Sequence, residues 1–254
     1  MNFSLSHIPD RGTKPRSNGI TSVMDKGLSL REAEDLISVA GHLIDIIKIG
    51  FGTSIVSNQL QEKLSFYRSN GIQVYFGGTL FEAFLIRNMK DEYKTYLEKF
   101  DMDLLEISDG SMVLDHTRKC ELITEFSQDY RVISEVGSKD AKVVLTDDIW
   151  VSQMHSELQA GAWKVIAEAR ESGNVGIYDA NGKANSNLIR KISDVLDFKD
   201  IIWEAPKKNQ QVWFIKKFGH NVNLGNISPT EVIPLETLRI GLRGDTFLDF
   251  LPQP

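Results

Sequence analysis

Short apolar runs rich in β-branched residues recur along the chain, and longer stretches with apolar positions at helical spacing separate them. Runs such as Ile46-Ile47 and Leu104-Leu105 are apolar on both faces, which is typical of parallel strands covered by helices. The pattern predicts eight strands, at residues 21–25, 45–50, 73–77, 104–108, 132–136, 165–169, 201–204 and 221–224. It predicts helices at residues 30–40, 57–69, 80–100 with a break near Lys90, 118–127, 148–160, 187–196, 209–218 and 230–240.

Eight strands that each precede a helix, at roughly thirty residues per unit, are typical of βα units on a parallel sheet. We therefore predict an α/β fold, a single-domain (β/α)₈ TIM barrel, because eight units in one chain close naturally. A doubly wound open sheet is the alternative architecture. Since no low-complexity tract or Pro/Gly-rich linker divides the chain, we expect a polar N-terminal arm (1–19), a barrel catalytic domain (20–245) and a C-terminal tail (246–254).

Composition narrows the class of partner. The net charge of −6 argues against a broad nucleic-acid-binding surface. No apolar run approaches the roughly 20 residues that span a bilayer, and the N-terminal arm lacks the apolar segment of a secretory signal. The single cysteine, Cys120, has no partner for an intrachain disulfide, which fits a reducing compartment and excludes a cysteine-cluster metal site. We therefore predict a cytoplasmic protein that binds neither nucleic acid nor membrane.

Charged residues interrupt five of the predicted strands close to their carboxyl ends: Lys48, Glu106, Glu135, Glu168 and Glu204. A buried charge needs a partner, a metal ion or a shifted pKa, and barrel enzymes build their active sites at this end of the strands. Internal salt bridges between the lysine and the glutamates are one interpretation. Because four carboxylates exceed one lysine, we expect the four glutamates to be metal ligands, and an all-oxygen set predicts Mg²⁺ as the cofactor.

Basic and amide side chains are frequent in the predicted loops after these strands and near the last helix. Phosphate in such barrels often binds the loops after the seventh and eighth strands, where backbone amides and a helix N-terminus converge. A pair such as Lys207-Lys208 is by itself also typical of a solvated surface. The position of the basic and amide groups in these loops nevertheless predicts a phosphorylated, anionic small-molecule substrate. The candidate groups are Lys139, Arg170, Lys207, Gln210, Asn226, Arg239 and Arg243.

Ten sequence strings, among them GITSVMDKGL, IDIIKIGFGTS, SEVGSKD, WEAPKKNQQ and ETLRIGLRGDTF, occur in order along nearly the whole chain. Together they resemble the phosphosulfolactate synthase family. The resemblance implies a (β/α)₈ barrel and a Mg²⁺-dependent reaction of the carbon–sulfur lyase class. In that reaction sulfite adds to phosphoenolpyruvate and gives (2R)-phospho-3-sulfolactate. The resemblance also implies a homo-oligomer.

The resemblance implies roles for individual residues as well. Lys139, in SEVGSKD, matches the lysine proposed as the general acid of the family, and Lys48 is the alternative acid or an anchor for the substrate carboxylate. A lysine beside a metal ion and an arginine has a lowered pKa, which suits proton donation near neutral pH. The residues expected to bind phosphate and sulfite are Arg170, Lys207 and Arg243, with Lys14 and Arg16 of the N-terminal arm in addition.

Two other functions are compatible with the sequence. One is a barrel enzyme that joins phosphoenolpyruvate, or a similar phospho-acid, to another nucleophile, because a basic cleft does not distinguish sulfite from other small anions. The other is a non-catalytic role through protein contacts, since the family includes plant members tied to heat-stress tolerance. The presence of Lys48, Lys139 and the four strand-end glutamates argues against the second.

Overall fold

The computed structural model describes residues 2–137 and 145–252. The strands within these residues are β1 (Thr21–Asp25), β2 (Ile46–Ile49), β3 (Gln73–Phe76), β4 (Leu104–Ile107), β5 (Arg131–Val136), β6 (Lys164–Ala167), β7 (Ile201–Glu204) and β8 (Leu224–Ile227). The α-helices are α1 (Leu30–Ala40), α2 (Leu60–Ser69), α3 (Gly78–Leu85), α4 (Lys90–Lys99), α5 (His116–Phe126), α6 (Asp147–Gln159), α7 (Ser186–Val195), α8 (Lys208–Phe218) and α9 (Val232–Arg239).

The strands form one parallel sheet in the order β3-β2-β1-β8-β7-β6-β5-β4. The two end strands of this order, β3 and β4, lie beside each other, so the sheet curves into a nearly closed barrel. The helices surround the barrel, and most of the core lies between strands and helices. The predicted (β/α)₈ barrel is therefore confirmed, and the alternative of an open sheet is wrong.

The alternation of side chains along β2 shows how the barrel separates polar from apolar groups. Lys48 contacts glutamates on other strands across the barrel, so its side chain points into the interior. Its neighbours Ile47 and Ile49 are fully buried, and they face the surrounding helices because successive strand residues point to opposite faces. A strand that is apolar on its outer face can thus present one charged group to the interior.

Local signals account for the helix boundaries. Helix α1 begins after Ser29, whose hydroxyl accepts from the amide of Glu32 while the Glu32 carboxylate accepts from the amide of Ser29, forming a capping box. The predicted bounds of this helix are confirmed. The predicted stretch 80–100 divides into α3 and α4, and α4 begins at Lys90, where the break was expected.

The predicted position of the eighth strand is wrong except for Leu224. The expected strand covers residues 221–224, whereas β8 covers Leu224–Ile227. Gly225 and Asn226 are of residue types that favour turns, yet both lie inside the strand. Asn226 takes a positive φ of 59°, which asparagine tolerates well. Before the strand, the Asn223 side chain accepts from the amide of Ile20 and so replaces backbone pairing at this point.

The N-terminal arm lies against the amino-terminal ends of the strands. The Arg11 side chain donates to the carbonyl of Gly19 and pairs with Glu236 of α9 at 3.0 Å. At the other end of the chain, the buried hydroxyl of Thr246 donates to the carbonyl of Leu238, so the tail packs on α9. None of the helices in the described part of the chain has the length and apolar character needed to cross a membrane.

Candidate active site

A cavity of about 300 Å³ opens at the carboxyl ends of the strands. Residues from β2 and from the ends of β5, β6, β7 and β8 line it, and barrel enzymes bind their substrates at this end. The fold therefore brings into one space groups that are far apart in sequence. Six residues predicted from the sequence line this cavity, namely Lys48, Glu135, Glu168, Arg170, Glu204 and Asn226.

Three glutamates from consecutive strands form a buried carboxylate cluster in the cavity. One carboxylate oxygen from each of Glu135, Glu168 and Glu204 lies within 4.8 Å of the other two. Burial raises the pKa of Glu204 to about 7, although the positive charge of Lys48 opposes this shift. Three oxygen donors at this spacing fit a hard divalent cation such as Mg²⁺, because the ion would offset charges that burial disfavours.

Lys48 lies against this cluster and neutralises part of its charge. Its Nζ atom is 2.8 Å from Glu106 Oε2, 3.1 Å from Glu135 Oε2 and 3.8 Å from Glu204 Oε1. Burial favours the neutral amine, but the neighbouring carboxylates outweigh it and hold the pKa of Lys48 above its ordinary value. Lys48 is therefore a cation near neutral pH, and the salt-bridge interpretation applies to Glu106 and Glu135, of which Glu135 also belongs to the carboxylate cluster.

Glu106 differs from the other three strand-end glutamates. Its Oε2 atom pairs with Lys48, and its Oε1 atom accepts from the amide of Gly78 at 2.6 Å. That amide belongs to the first turn of α3, where backbone N–H groups need acceptors. Glu106 is wholly buried, and it is absent from both the three-carboxylate cluster and the cavity lining. This geometry indicates a structural role for Glu106 and does not support metal binding by it.

Arg170, in the loop after β6, and Asn226, in β8, reach the cavity from unusual backbone conformations. Arg170 has a φ of 47°, and Asn226 has a φ of 59°, both in the left-handed region that most residues avoid. The amide of Arg170 donates to Glu168 Oε1 at 2.6 Å, so the same turn orients a carboxylate and exposes a guanidinium. Arg170 is thus placed to meet an anion beside the carboxylate cluster.

The side chains predicted as substrate ligands in the loop after β7 do not line the cavity. Lys207 is exposed and precedes the first turn of α8. The buried amide of Gln210 donates to the carbonyls of Gly173 (2.8 Å) and Gly182 (3.3 Å), so it joins the loop after β6 to the start of α8. This use of Gln210 does not support a direct substrate contact. Lys139, the proposed general acid, lies outside the described residues.

Three predicted substrate ligands lie at the amino-terminal ends of the strands, opposite the cavity. Lys14 donates to the carbonyl of Gly41 at 3.0 Å, and Arg16 pairs with Asp45 at 2.9 Å. The fully buried Arg239 donates to the carbonyl of Val222 at 2.7 Å. Asp45 directly precedes β2, and Gly41 and Val222 lie in the segments that lead into β2 and β8, so the structure places these three side chains away from the cavity. For Arg239 this follows because it is the last residue of α9, and this helix ends beside Ile20 and Val222 at the amino-terminal ends of the strands.

Arg243 is also separated from the cavity. It follows α9 in a segment that packs on the outside of α8 through two ion pairs, Lys208–Asp245 at 2.6 Å and Lys216–Asp249 at 3.7 Å. Arg243 is not among the cavity residues. Its predicted contact with phosphate or sulfite therefore finds no support in the geometry.

Some residues at the carboxyl ends of the strands were not predicted from the sequence as site residues. Thr79, Glu171 and Ser172 line the cavity, and Glu171 pairs with Lys26 of the loop after β1. Asp25 ends β1 just as the glutamates end their strands, so the same signal was available for it. It is wholly buried, and it accepts from the amides of Gly27 and Leu28 and pairs with Lys63 at 2.8 Å.

Comparison with known proteins gives a consistent result along the chain. The family model of (2R)-phospho-3-sulfolactate synthase matches residues 9–245. A phosphosulfolactate synthase from Methanothermobacter thermautotrophicus is 43% identical over 244 residues, covering 94% of this chain and 95% of the relative. The phosphosulfolactate synthase of Bacillus subtilis is 41% identical over 96% of this chain and 98% of its own length.

More distant similarities extend to a plant protein and to solved barrels. The Arabidopsis thaliana protein HEAT-STRESS-ASSOCIATED 32 is 22% identical over 93% of this chain and 91% of its own length. Among solved structures, a 3-hexulose-6-phosphate synthase superposes with a TM-score of 0.54 at 13% identity, covering 87% of this chain and all of the other. At that identity the structural likeness shows the fold alone.

Proposed function

Because the chain belongs to the phosphosulfolactate synthase family, we propose that it catalyses the Mg²⁺-dependent addition of sulfite to phosphoenolpyruvate. The product is (2R)-phospho-3-sulfolactate, and the reaction is of the carbon–sulfur lyase class. We include in the proposal a cytoplasmic homo-oligomer. The observation that carries the chemistry is the juxtaposition of Glu135, Glu168 and Glu204 with Arg170 in one cavity.

The charges of the cavity suit two anionic reactants only when cations are present. Sulfite and phosphoenolpyruvate repel each other strongly at low effective dielectric unless positive groups lie between or beside them. Arg170 lines the cavity, and Lys207 lies on the neighbouring loop, so both can pair with phosphate or sulfite oxygens. Lys48 is engaged by Glu106 and Glu135, so we assign it to charge balance within the cluster.

The three-carboxylate cluster would hold the metal ion. Glu135, Glu168 and Glu204 supply oxygen donors, and Glu168 is oriented by the amide of Arg170. When bound, Mg²⁺ supplies positive charge beside the substrate carboxylate, where negative charge develops during the addition. The protein contributes three buried carboxylates that are held close together before the ion binds.

The reaction itself forms one C–S bond and one C–H bond. The sulfur lone pair attacks the methylene carbon of phosphoenolpyruvate, and the C=C electron pair moves toward the adjacent carbon and its carboxylate. That carbon then takes a proton from one face, which sets the R configuration. We propose Lys139 as the donor, supported by the match of SEVGSKD to the family. Lys48 is less suited to donate, because its raised pKa disfavours loss of the proton.

The test is ³¹P NMR of the purified protein with phosphoenolpyruvate, sulfite and Mg²⁺. We expect a new phosphate-ester resonance that requires all three components and disappears after exhaustive chelation with EDTA. A parallel sample without sulfite should show only phosphoenolpyruvate.

Two results would contradict the proposal. Product that forms without sulfite, or with another nucleophile in its place, assigns the site to a different addition to the same phospho-acid. Full turnover in metal-free protein, checked by mass spectrometry, removes Mg²⁺ from the mechanism.

A further inference from the structure

A second cluster of buried charges lies behind β5, on the outer side of the barrel. Lys119 of α5 and Glu157 of α6 form an ion pair of 2.9 Å, and their side chains are only 2% and 0% exposed. Neither residue lines the cavity. Burying two full charges is costly unless their partners are well placed, so an ion pair at this depth requires an explanation beyond packing.

The sequence places both residues on apolar helix faces. Lys119 precedes Leu122, Ile123 and Phe126 by three, four and seven positions, which is the spacing of the buried stripe of α5. Glu157 likewise follows the buried Met154 by three positions on α6. A hydrophobic side chain at either position would continue the apolar face of its helix. The presence of charged side chains there is explained by the groups that they contact.

Both members of the pair contact the end of β5. The Nζ atom of Lys119 donates to the backbone carbonyl of Glu135 at 2.6 Å, and the Ser134 hydroxyl donates to Glu157. Lys119 also pairs with Asp109, in the loop after β4, at 2.9 Å. The pair thus fixes two successive residues of β5 from the outside.

The residue held in this way presents its own side chain to the other face. Strand side chains alternate, so Ser134 points outward to α6 while the Glu135 carboxylate points inward to Lys48 and the carboxylate cluster. The hydrogen bond from Lys119 holds the Glu135 carbonyl oxygen, which is two bonds away from the Cα atom that carries the side chain. Small shifts of the backbone there would move the carboxylate relative to Glu168 and Glu204.

We infer that Lys119 is a positioning residue, which fixes the Glu135 carboxylate for cation binding, and that Glu157 holds Lys119 in place. The inference deepens the proposed function and rests on its assignment of Glu135 to the metal site. Groups that orient metal ligands from outside the coordination sphere typically change metal affinity by about 10–100-fold. We therefore expect an effect of this size from a residue that never contacts the ion or the substrate.

The test compares Mg²⁺ affinity, measured by isothermal titration calorimetry, with thermal stability in a set of full-length variants. Lys119→Met keeps the length of the side chain and removes the charge. Lys119→Met combined with Glu157→Gln avoids an unpaired buried carboxylate at position 157, in case the single variant does not fold. Lys119→Arg keeps a cation that can donate to the Glu135 carbonyl.

The control is Lys164→Met, at the amino-terminal end of β6. Lys164 is also buried, and it also donates to backbone carbonyls, those of Ser17 (3.1 Å) and Lys199 (2.6 Å). We expect Lys164→Met to change the melting temperature while its Mg²⁺ Kd stays within twofold of wild type. The Lys119→Met variants should weaken Mg²⁺ binding by about 10–100-fold, and Lys119→Arg should recover most of the loss.

The inference is overturned if both variants that carry Lys119→Met bind Mg²⁺ as tightly as wild type, or if Lys164→Met weakens binding equally. Turnover assays separate this result from failure of the proposed function. If wild type binds Mg²⁺ and the Lys119 variants bind it weakly, the inference stands even when sulfite and phosphoenolpyruvate give no product. If product forms and the Lys119 variants keep wild-type affinity, the proposed function stands alone.

Discussion

Lys48 and Glu106 form an ion pair inside the barrel, with 2.8 Å between Nζ and Oε2, and Glu106 also caps the first turn of α3 through the Gly78 amide. This pairing divides the four strand-end glutamates into two kinds. Glu106 pairs with the lysine and supports a helix, whereas Glu135, Glu168 and Glu204 form the carboxylate cluster, which Lys48 also contacts through Glu135. The division leads to opposite expectations for two otherwise similar substitutions.

Glu106→Gln should mainly lower stability, and Glu168→Gln should mainly lower Mg²⁺ affinity. Loss of a buried ionic partner costs about 3 kcal/mol, so the first variant should unfold at clearly lower urea concentration. Loss of a direct ligand should weaken Mg²⁺ binding by more than about 10-fold, since even outer groups have effects of that size. Urea melts and calorimetric Mg²⁺ titrations of both variants check this. The reverse pattern would make Glu106 the ligand.

Lys139→Ala should abolish most product formation while phosphoenolpyruvate binding stays within a few-fold of wild type. A general acid acts in the transition state, so its loss falls on kcat, by about 10²–10⁴. The matched comparison is Lys48→Met, which removes a cation that we assign to charge balance. Single-turnover rates and binding titrations check both variants. A near-normal kcat in Lys139→Ala, with a loss in folded Lys48→Met, would reverse the two roles.

The sequence was sufficient for the architecture because most of the strands carry a local signal. Runs such as Leu104-Leu105 that are apolar on both faces, between helices with clear caps such as Ser29, predict βα units without any knowledge of contacts. The predicted position of the eighth strand was wrong because Gly225 and Asn226 favour a turn when only the local sequence is considered. In the barrel, pairing of β8 with β1 and β7 overrides that local preference.

The candidate site could be predicted only in part, because residue type does not encode partners across the barrel. Glu106 and Glu135 are each the last residue but one of their strands, and only the closed barrel shows that one caps α3 while the other joins the cluster. The sequence did not show at which end of the barrel Arg239 lies, for a related reason. Its distance from the cavity depends on the direction in which α9 returns, and a charge near a helix end does not reveal it.

Lys164 should make the stability of the protein depend on pH in the alkaline range. Burial lowers the pKa of Lys164 to about 8, from an ordinary value of 10.5. Between these values the unfolded chain binds more protons, so this group's contribution to the free energy of unfolding rises with pH, by up to about 1.4 kcal/mol per pH unit. Below pH 8 the contribution is constant and unfavourable.

Urea melts of wild type and Lys164→Met at pH 7, 8, 9 and 10 check this. The free energy of unfolding of wild type minus that of the variant should increase above pH 8. A flat difference across that range would contradict the lowered pKa.

The two ends of the barrel should respond differently to loss of a lysine. Lys207 lies on the loop after β7 at the cavity end, whereas Lys14 binds the Gly41 carbonyl at the opposite end. Lys207→Ala should raise the KM for phosphoenolpyruvate by about 10-fold and the KM for sulfite much less, because a phosphate contact remote from the reacting carbon contributes mainly to binding. A smaller loss of kcat should accompany it, since remote binding energy also orients the substrate. Lys14→Ala, assayed under the same conditions, should leave both KM values within twofold. If Lys14→Ala raises the KM for phosphoenolpyruvate and Lys207→Ala does not, phosphate binds at the N-terminal arm and the cavity at the carboxyl ends is not the substrate site.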